Sequence, residues 1–297
     1  MIFNIFAFIL GACIGSFLNV CIGRWPAGMS IVRPPSRCPA CERPIRAYEN
    51  VPILGWLALR GRCAGCAGDI SPQYPLVELL IALVWLASAY LFGPTFLAIR
   101  VAVFVTLMTG IAITDAQHYI IPDGFTLFGV AWLLVAAFTA TFLHSDSAFA
   151  APYDAIMGAM VGAGAIAIAG WLGEVALKRE AMGFGDVTLM AVVGAALGPQ
   201  RALLTIFIGA ALGVVIFIGF VLPATRMRAR TVPTGGTPAT DDIASDSGGT
   251  DSIAAEGLHA ASMPLVPFGV FLAPSAIIAL FYGTTLVSWY AGRFLSS

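Results

Sequence analysis

Long apolar runs dominate this chain, and polar residues gather between them. The runs at 2–22, 75–92, 95–114, 125–143, 155–177, 187–197, 201–222 and 265–289 are almost free of charge. A bilayer core takes roughly 20 helical residues to cross. The pattern therefore predicts an all-α polytopic membrane protein of about eight transmembrane helices. The sixth run is short: at 1.5 Å per residue it reaches only about 16 Å. It either extends by a turn at one end or lies in a thinned or shielded region. The first run has no Lys or Arg before it and is long for the apolar stretch of a signal peptide, so it reads as a retained span.

Composition agrees with the pattern. Of 297 residues, 59% are hydrophobic and 10% are charged, against about 25% charged in soluble domains. Net charge is −1, so no global field points to nucleic acid. The basic residues set an orientation. Arg24, Arg33, Arg37, Arg43, Arg46, Arg60 and Arg62 follow the first run, Lys178 and Arg179 the fifth, and Arg226, Arg228 and Arg230 the seventh. With eight spans and both termini outside, all of these face the cytoplasm. The sequence then divides into a first helix (1–22), a cytoplasmic loop domain (23–74), a six-helix membrane core (75–222), a low-complexity linker (223–263) and a last helix with the C-terminus (264–297). Within the linker, 231–262 is rich in Thr, Ser, Gly, Ala and Asp and reads as flexible. Gly11, Gly15, Asn19 and Gly23 recur every four residues, as do the pairs Gly158/Gly162 and Gly209/Gly213. Such spacing lets helices approach closely.

Cys38-Pro39-Ala40-Cys41 and Cys63-Ala64-Gly65-Cys66 stand in the polar loop. Their spacing is that of a zinc ribbon. Four thiolates fill a tetrahedral Zn²⁺ shell and leave no place for water, so the metal is expected to be structural. A subdomain this small has little core of its own, and a metal staple compensates. Unpaired or redox thiols are the other reading.

Two aspartates stand at the edges of apolar runs. Asp115 lies in Thr114-Asp115-Ala116-Gln117-His118, and Asp186 closes Gly183-Phe184-Gly185-Asp186. A charge there is costly enough to suggest a purpose. Two close carboxylates cannot both ionise readily, so a pair can share one proton and activate water against a peptide bond. Gly183 and Gly185 add no side-chain bulk, which suits close approach of a substrate backbone. Asp186 begins a helix, where the positive dipole end favours the anion; Asp115 ends one, where the negative end favours the neutral acid. On that ground Asp186 is expected to be the base and Asp115 the acid. Plain structural readings remain: Asp186 as a helix cap and Asp115 as an interfacial charge. Asp123 reads as a helix cap, Glu78 as a dipole-favoured acid in a first turn, and Ser16 and His118 as structural. A proton-coupled transporter using the same aspartates, or a zinc-stabilised assembly scaffold, also fits these residues.

The set of motifs resembles the type IV prepilin peptidases, which are GxGD-type membrane aspartyl proteases. It comprises Gly11-Ala12-Cys13-Ile14-Gly15-Ser16-Phe17-Leu18-Asn19-Val20, the four-cysteine loop, Glu49-Asn50-Val51-Pro52 and Tyr74-Pro75-Leu76-Val77-Glu78. Asp115 with Ile121-Pro122-Asp123, Gly183-Phe184-Gly185-Asp186 and Pro267-Phe268-Gly269 complete it, in family order over nearly the whole chain. The resemblance implies a bacterial inner-membrane protease that cuts the basic leader from prepilins or pseudopilins just after a glycine, on the cytoplasmic side. Asp115 and Asp186 match the family's two catalytic aspartates. The partners implied are substrates with a basic leader and an apolar N-terminal helix, within the lipid bilayer, serving pili or type II secretion. The complete cysteine loop further implies methylation of the new N-terminal residue from S-adenosylmethionine, a donor expected by resemblance alone. The insert at 231–262 departs from the compact family pattern.

Overall fold

Each apolar run winds into a helix because a bilayer offers the backbone no other partner for its N–H and C=O groups. The computed structural model describes residues 1–144, 148–178, 182–221 and 267–294. The expected linker at 231–262 lies outside them. Helices α1 (Ile2–Arg24), α2 (Leu54–Ala58), α3 (Gln73–Phe92), α4 (Phe96–His118), α5 (Asp123–Phe142), α6 (Pro152–Leu177), α7 (Phe184–Leu197), α8 (Pro199–Ile216) and α9 (Gly269–Phe294) follow in order. Among the described residues there is no strand, only isolated bridges within the polar loop.

Among the described residues, seven helices are long and apolar enough to cross a membrane, all but α2 and α7. Helix α7 is the short sixth run. It gains its extra turn at the N-terminal end and spans 14 residues, about 21 Å of helix. Protein rather than lipid surrounds it: Leu189, Met190, Val192 and Val193 are wholly buried. It packs against α5, α6, α8 and α9. Gly198, at φ 82°, turns the chain sharply from α7 into α8, a conformation that glycine adopts without strain.

The small-residue stripe of α1 faces α3. A Cβ at Gly15 would lie 2.7 Å from the Cα of Glu78, whereas Gly23 meets nothing within 4 Å. On α6, Gly158 and Gly162 face the backbone of α7.

The loop side of the bundle is stitched by polar and aromatic contacts. Asn19 donates to the carbonyl of Tyr74 at 3.1 Å, and Gln117 donates to Gln73 at 2.9 Å. Trp25 meets Phe125 edge to face at 4.5 Å. The end of α1, the start of α3, the end of α4 and the start of α5 therefore share one end of the bundle, and the cysteine loop sits there. At the opposite end the guanidinium of Arg100 stacks over the ring of Phe149 at 4.4 Å.

Candidate active site

Asp115 occupies the last turn of α4. The helix stops four residues on because Tyr119 turns left-handed at φ 56° and donates its N–H to the Asp115 carbonyl. Asp115 is 5% exposed. Its Oδ2 accepts the backbone N–H of Val270, at the start of α9, at 3.1 Å. A Cβ at Gly269 would stand 2.7 Å from that same oxygen. A bare glycine is what admits the start of α9 to the carboxylate.

Asp186 is half-buried in the first turn of α7. The cap position belongs to Gly183, so the helix-cap reading of Asp186 does not hold. The glycines on either side of Phe184 differ in their surroundings. A Cβ on Gly185 would lie 2.9 Å from that of Ile121, whereas one on Gly183 would meet nothing closer than 4.0 Å. Gly185 is thus a packing contact, and Gly183 is the open position.

Ile121 joins the two aspartates. It is 8% exposed and presses on Gly185, next to Asp186. Its Cδ1 also lies 3.0 Å from where a Gly269 Cβ would stand, beside Asp115. Ile121 thus lies between the two residues, and the carboxylates are near enough for the charge of Asp115 to act on Asp186. Asp123 does not cap α5; Pro122 holds that place and Asp123 is the first helical residue. His118 and Asp123 are both exposed.

Sequence reasoning missed the role of Glu78. It sits in the second turn of α3, not the first, because the helix begins at Gln73. It is 8% exposed, and its Oε2 accepts the backbone N–H of Ile53 at 2.7 Å. The Ser16 hydroxyl bonds to the same carboxylate. Ser16 is thus a partner of Glu78 as well as part of the α1 surface.

In the loop, the four cysteine sulfurs all lie within 4.8 Å of one another, and Sγ of Cys38 and Cys66 are 3.8 Å apart. The two halves repeat a local geometry. Cys38 N–H donates to the Arg43 carbonyl and Glu42 N–H to the Cys38 carbonyl; Cys63 N–H donates to the Gly68 carbonyl and Ala67 N–H to the Cys63 carbonyl. Glu42 and Ala67, each just past a second cysteine, both turn left-handed at φ 56°. The N–H groups of Gly65 and Cys66 lower the Cys63 thiol to about 6, which favours the thiolate a metal binds. Arg43 and Glu49 close the loop with an ion pair at 2.6 Å. Hydrogen bonds from the Arg43 side chain and the Arg46 N–H hold the Glu49 carboxyl below its ordinary range. The cluster fits a metal ion.

Comparison with known proteins places this geometry. The bacterial peptidase A24 N-terminal domain matches residues 9–92, and the type IV leader peptidase family matches residues 102–218. The chain is 42% identical to a prepilin leader peptidase/N-methyltransferase of Myxococcus xanthus, over 81% of this chain and 70% of that protein. It is 31% identical to one of Stutzerimonas stutzeri, over 97% and 93%, and 30% identical to one of Pseudomonas aeruginosa, over 95% and 91%. No solved structure matches. With a four-sulfur loop and two aspartates at one end of a helical membrane bundle, and with relatives of this identity along nearly its full length, the chain belongs to the type IV leader peptidase family.

Proposed function

We propose that this chain is a membrane aspartyl endopeptidase that removes the basic leader of type IV prepilins and pseudopilins after a glycine, and then methylates the exposed N-terminus. The observation that carries the reading is the placement of Ile121 against both Gly185, beside Asp186, and Gly269, beside Asp115, with the charge of Asp115 acting on Asp186. The ionised member takes a proton from water as its oxygen attacks the scissile carbonyl. The protonated member donates to the carbonyl oxygen, and the proton gained from water passes to the leaving amine as the C–N bond breaks. No nucleophilic side chain is required.

The end that holds the aspartates also holds the arginine-rich loop, with Arg24, Arg33, Arg37, Arg43, Arg46, Arg60 and Arg62. That excess supports a cytoplasmic face in a bacterial inner membrane. A boundary site suits the substrate: its basic leader stays in water while its apolar helix remains in lipid.

Cys38, Cys41, Cys63 and Cys66 would hold Zn²⁺. Four sulfurs at about 2.3 Å from zinc define a tetrahedron with edges of about 3.8 Å, which agrees with the 3.8 Å between Cys38 and Cys66. All four positions are taken, so the metal braces the loop. The methyl group would come from S-adenosylmethionine, as the names of the relatives suggest.

A transporter would need ionisable groups near the midplane, whereas Asp115 and Asp186 stand in a last and a first helical turn. The test is incubation of the purified protein with a synthetic prepilin and mass spectrometry of the product's N-terminus. Cleavage after glycine and a mass gain of one methyl group are expected. Cleavage that survives both Asp115→Asn and Asp186→Asn would overturn the mechanism.

A further inference from the structure

Pro267-Phe268-Gly269 has no part in the chemistry above, yet the helix it introduces starts against Asp115. We propose that the first turn of α9 is the positioning element for Asp115: the Val270 N–H holds Oδ2 and keeps the resting negative charge on Asp115, leaving the shared proton on Asp186. This deepens the proposed function and rests on the paired-aspartate reading.

Reasoning from each aspartate's own helix gave the opposite division, because α4 turns its negative end toward Asp115. The fold brings a second helix to the same carboxylate with its positive end inward. Val270 is the second residue of α9, so its N–H has no acceptor inside that helix. It points instead at Oδ2, 3.1 Å away. The Gly269 N–H bonds to the same side chain. A direct hydrogen bond to a charged group outweighs the diffuse pull of a helix end. Asp186 accepts one such bond, from the Gly183 N–H of its own turn.

Burial alone would favour a neutral Asp115, since only 5% of it is exposed. Two inward N–H groups replace the water it has lost. Of the charged groups around it, Asp186 on α7 is the one on which its charge acts. Glu78 on α3 is engaged with Ile53. His118 on α4 and Asp123 on α5 are exposed, and Arg24 ends α1.

Val270→Pro tests the inference by removing the N–H that holds Oδ2. Proline is accommodated in a first helical turn, and the preceding glycine has no Cβ to clash with its ring. The variant removes the N–H, and its ring Cδ, standing where the hydrogen was, also pushes Oδ2 away from the helix start. The readout is the pH profile of kcat/KM for prepilin cleavage, beside Val270→Ala, which keeps the N–H.

In Val270→Pro the acid limb is expected to move up by about one pH unit while the alkaline limb stays. In Val270→Ala both limbs stay. Gly269→Ala, which crowds Oδ2, moves the acid limb the same way, and its kcat falls more than its KM rises. An unmoved acid limb in a folded Val270→Pro overturns the proposal. So does a shift confined to the alkaline limb, which would put the resting proton on Asp115. If Val270→Pro fails to melt cooperatively, Gly269→Ala decides by the same limb. Failure of the paired-aspartate reading looks different: the Asp→Asn variants then cleave, whatever happens at Val270.

Discussion

Oε2 of Glu78 accepts the backbone N–H of Ile53 at 2.7 Å, and this bond fastens the cysteine loop to the membrane helices. Ile53 stands at φ 62°, a region a β-branched residue seldom enters. Its neighbours must hold it there, and the bond to Glu78 is one such contact. Glu78→Ala is expected to destabilise the loop by about 1–3 kcal/mol, the range for a buried donor left without its acceptor. Glu78→Gln keeps an acceptor and loses less. Limited proteolysis across residues 33–60 reads the difference, and equal cleavage of wild type and Glu78→Ala would contradict it.

Gly185 and Gly183 are expected to fail in different ways. Gly185→Ala drives a methyl group into Ile121 and displaces Asp186, so kcat falls by about tenfold or more, the scale of a misplaced reacting group. Ile121→Ala in the same chain opens the space and restores part of the loss, a coupling expected of touching residues. Gly183→Ala meets no neighbour and, on the proposal that substrate passes this open position, is expected to act on KM. Steady-state kinetics on a synthetic prepilin separates these, and a double variant no better than Gly185→Ala alone would refute the packing account.

Replacing Cys38 and Cys66 by Ser is expected to remove bound zinc and to expose the loop to protease. Metal binding in so small a unit is coupled to its folding. Metal analysis by mass spectrometry gives the first readout and proteolysis the second. A double variant with full zinc content would show that the four sulfurs do not form the site.

The stripe on α1 makes a stability prediction. Gly15→Val places atoms against the backbone of α3 and is expected to cost about 1–3 kcal/mol, as overpacking does. Gly23→Val faces open space and is expected to leave stability unchanged. Thermal melting in detergent compares them, and equal melting temperatures would mean that α1 and α3 do not meet as described.

The spans were legible because a bilayer imposes a length on apolar runs that no soluble fold imposes. The cysteine cluster was legible from spacing, since a metal fixes four sulfurs within a few ångströms. Asp115 and Asp186 stood out as charges at apolar edges. Their shared corner was only half legible: helix count puts both at one end, but Ile121, which lies between them, looks like any apolar residue. Every span but the first starts one to four residues away from its apolar run; α7 starts early because Phe184 and Gly185 already wind as helix despite the flanking glycines. The contacts of Glu78 with Ile53 and of Asp115 with Val270 were not legible. Each joins a side chain to a backbone N–H, which every non-proline residue has, so composition and periodicity carry no trace of it.

Val270 follows Asp115 by 155 residues, and that interval has a consequence for biogenesis. A ribosome delivers both aspartates to the membrane well before it delivers α9. The nascent enzyme therefore inserts with its acid pair lacking the partner that fixes Oδ2. On the proposed role of Val270, the carboxylate pair reaches its final arrangement only when the last helix docks against α4, α7 and α8.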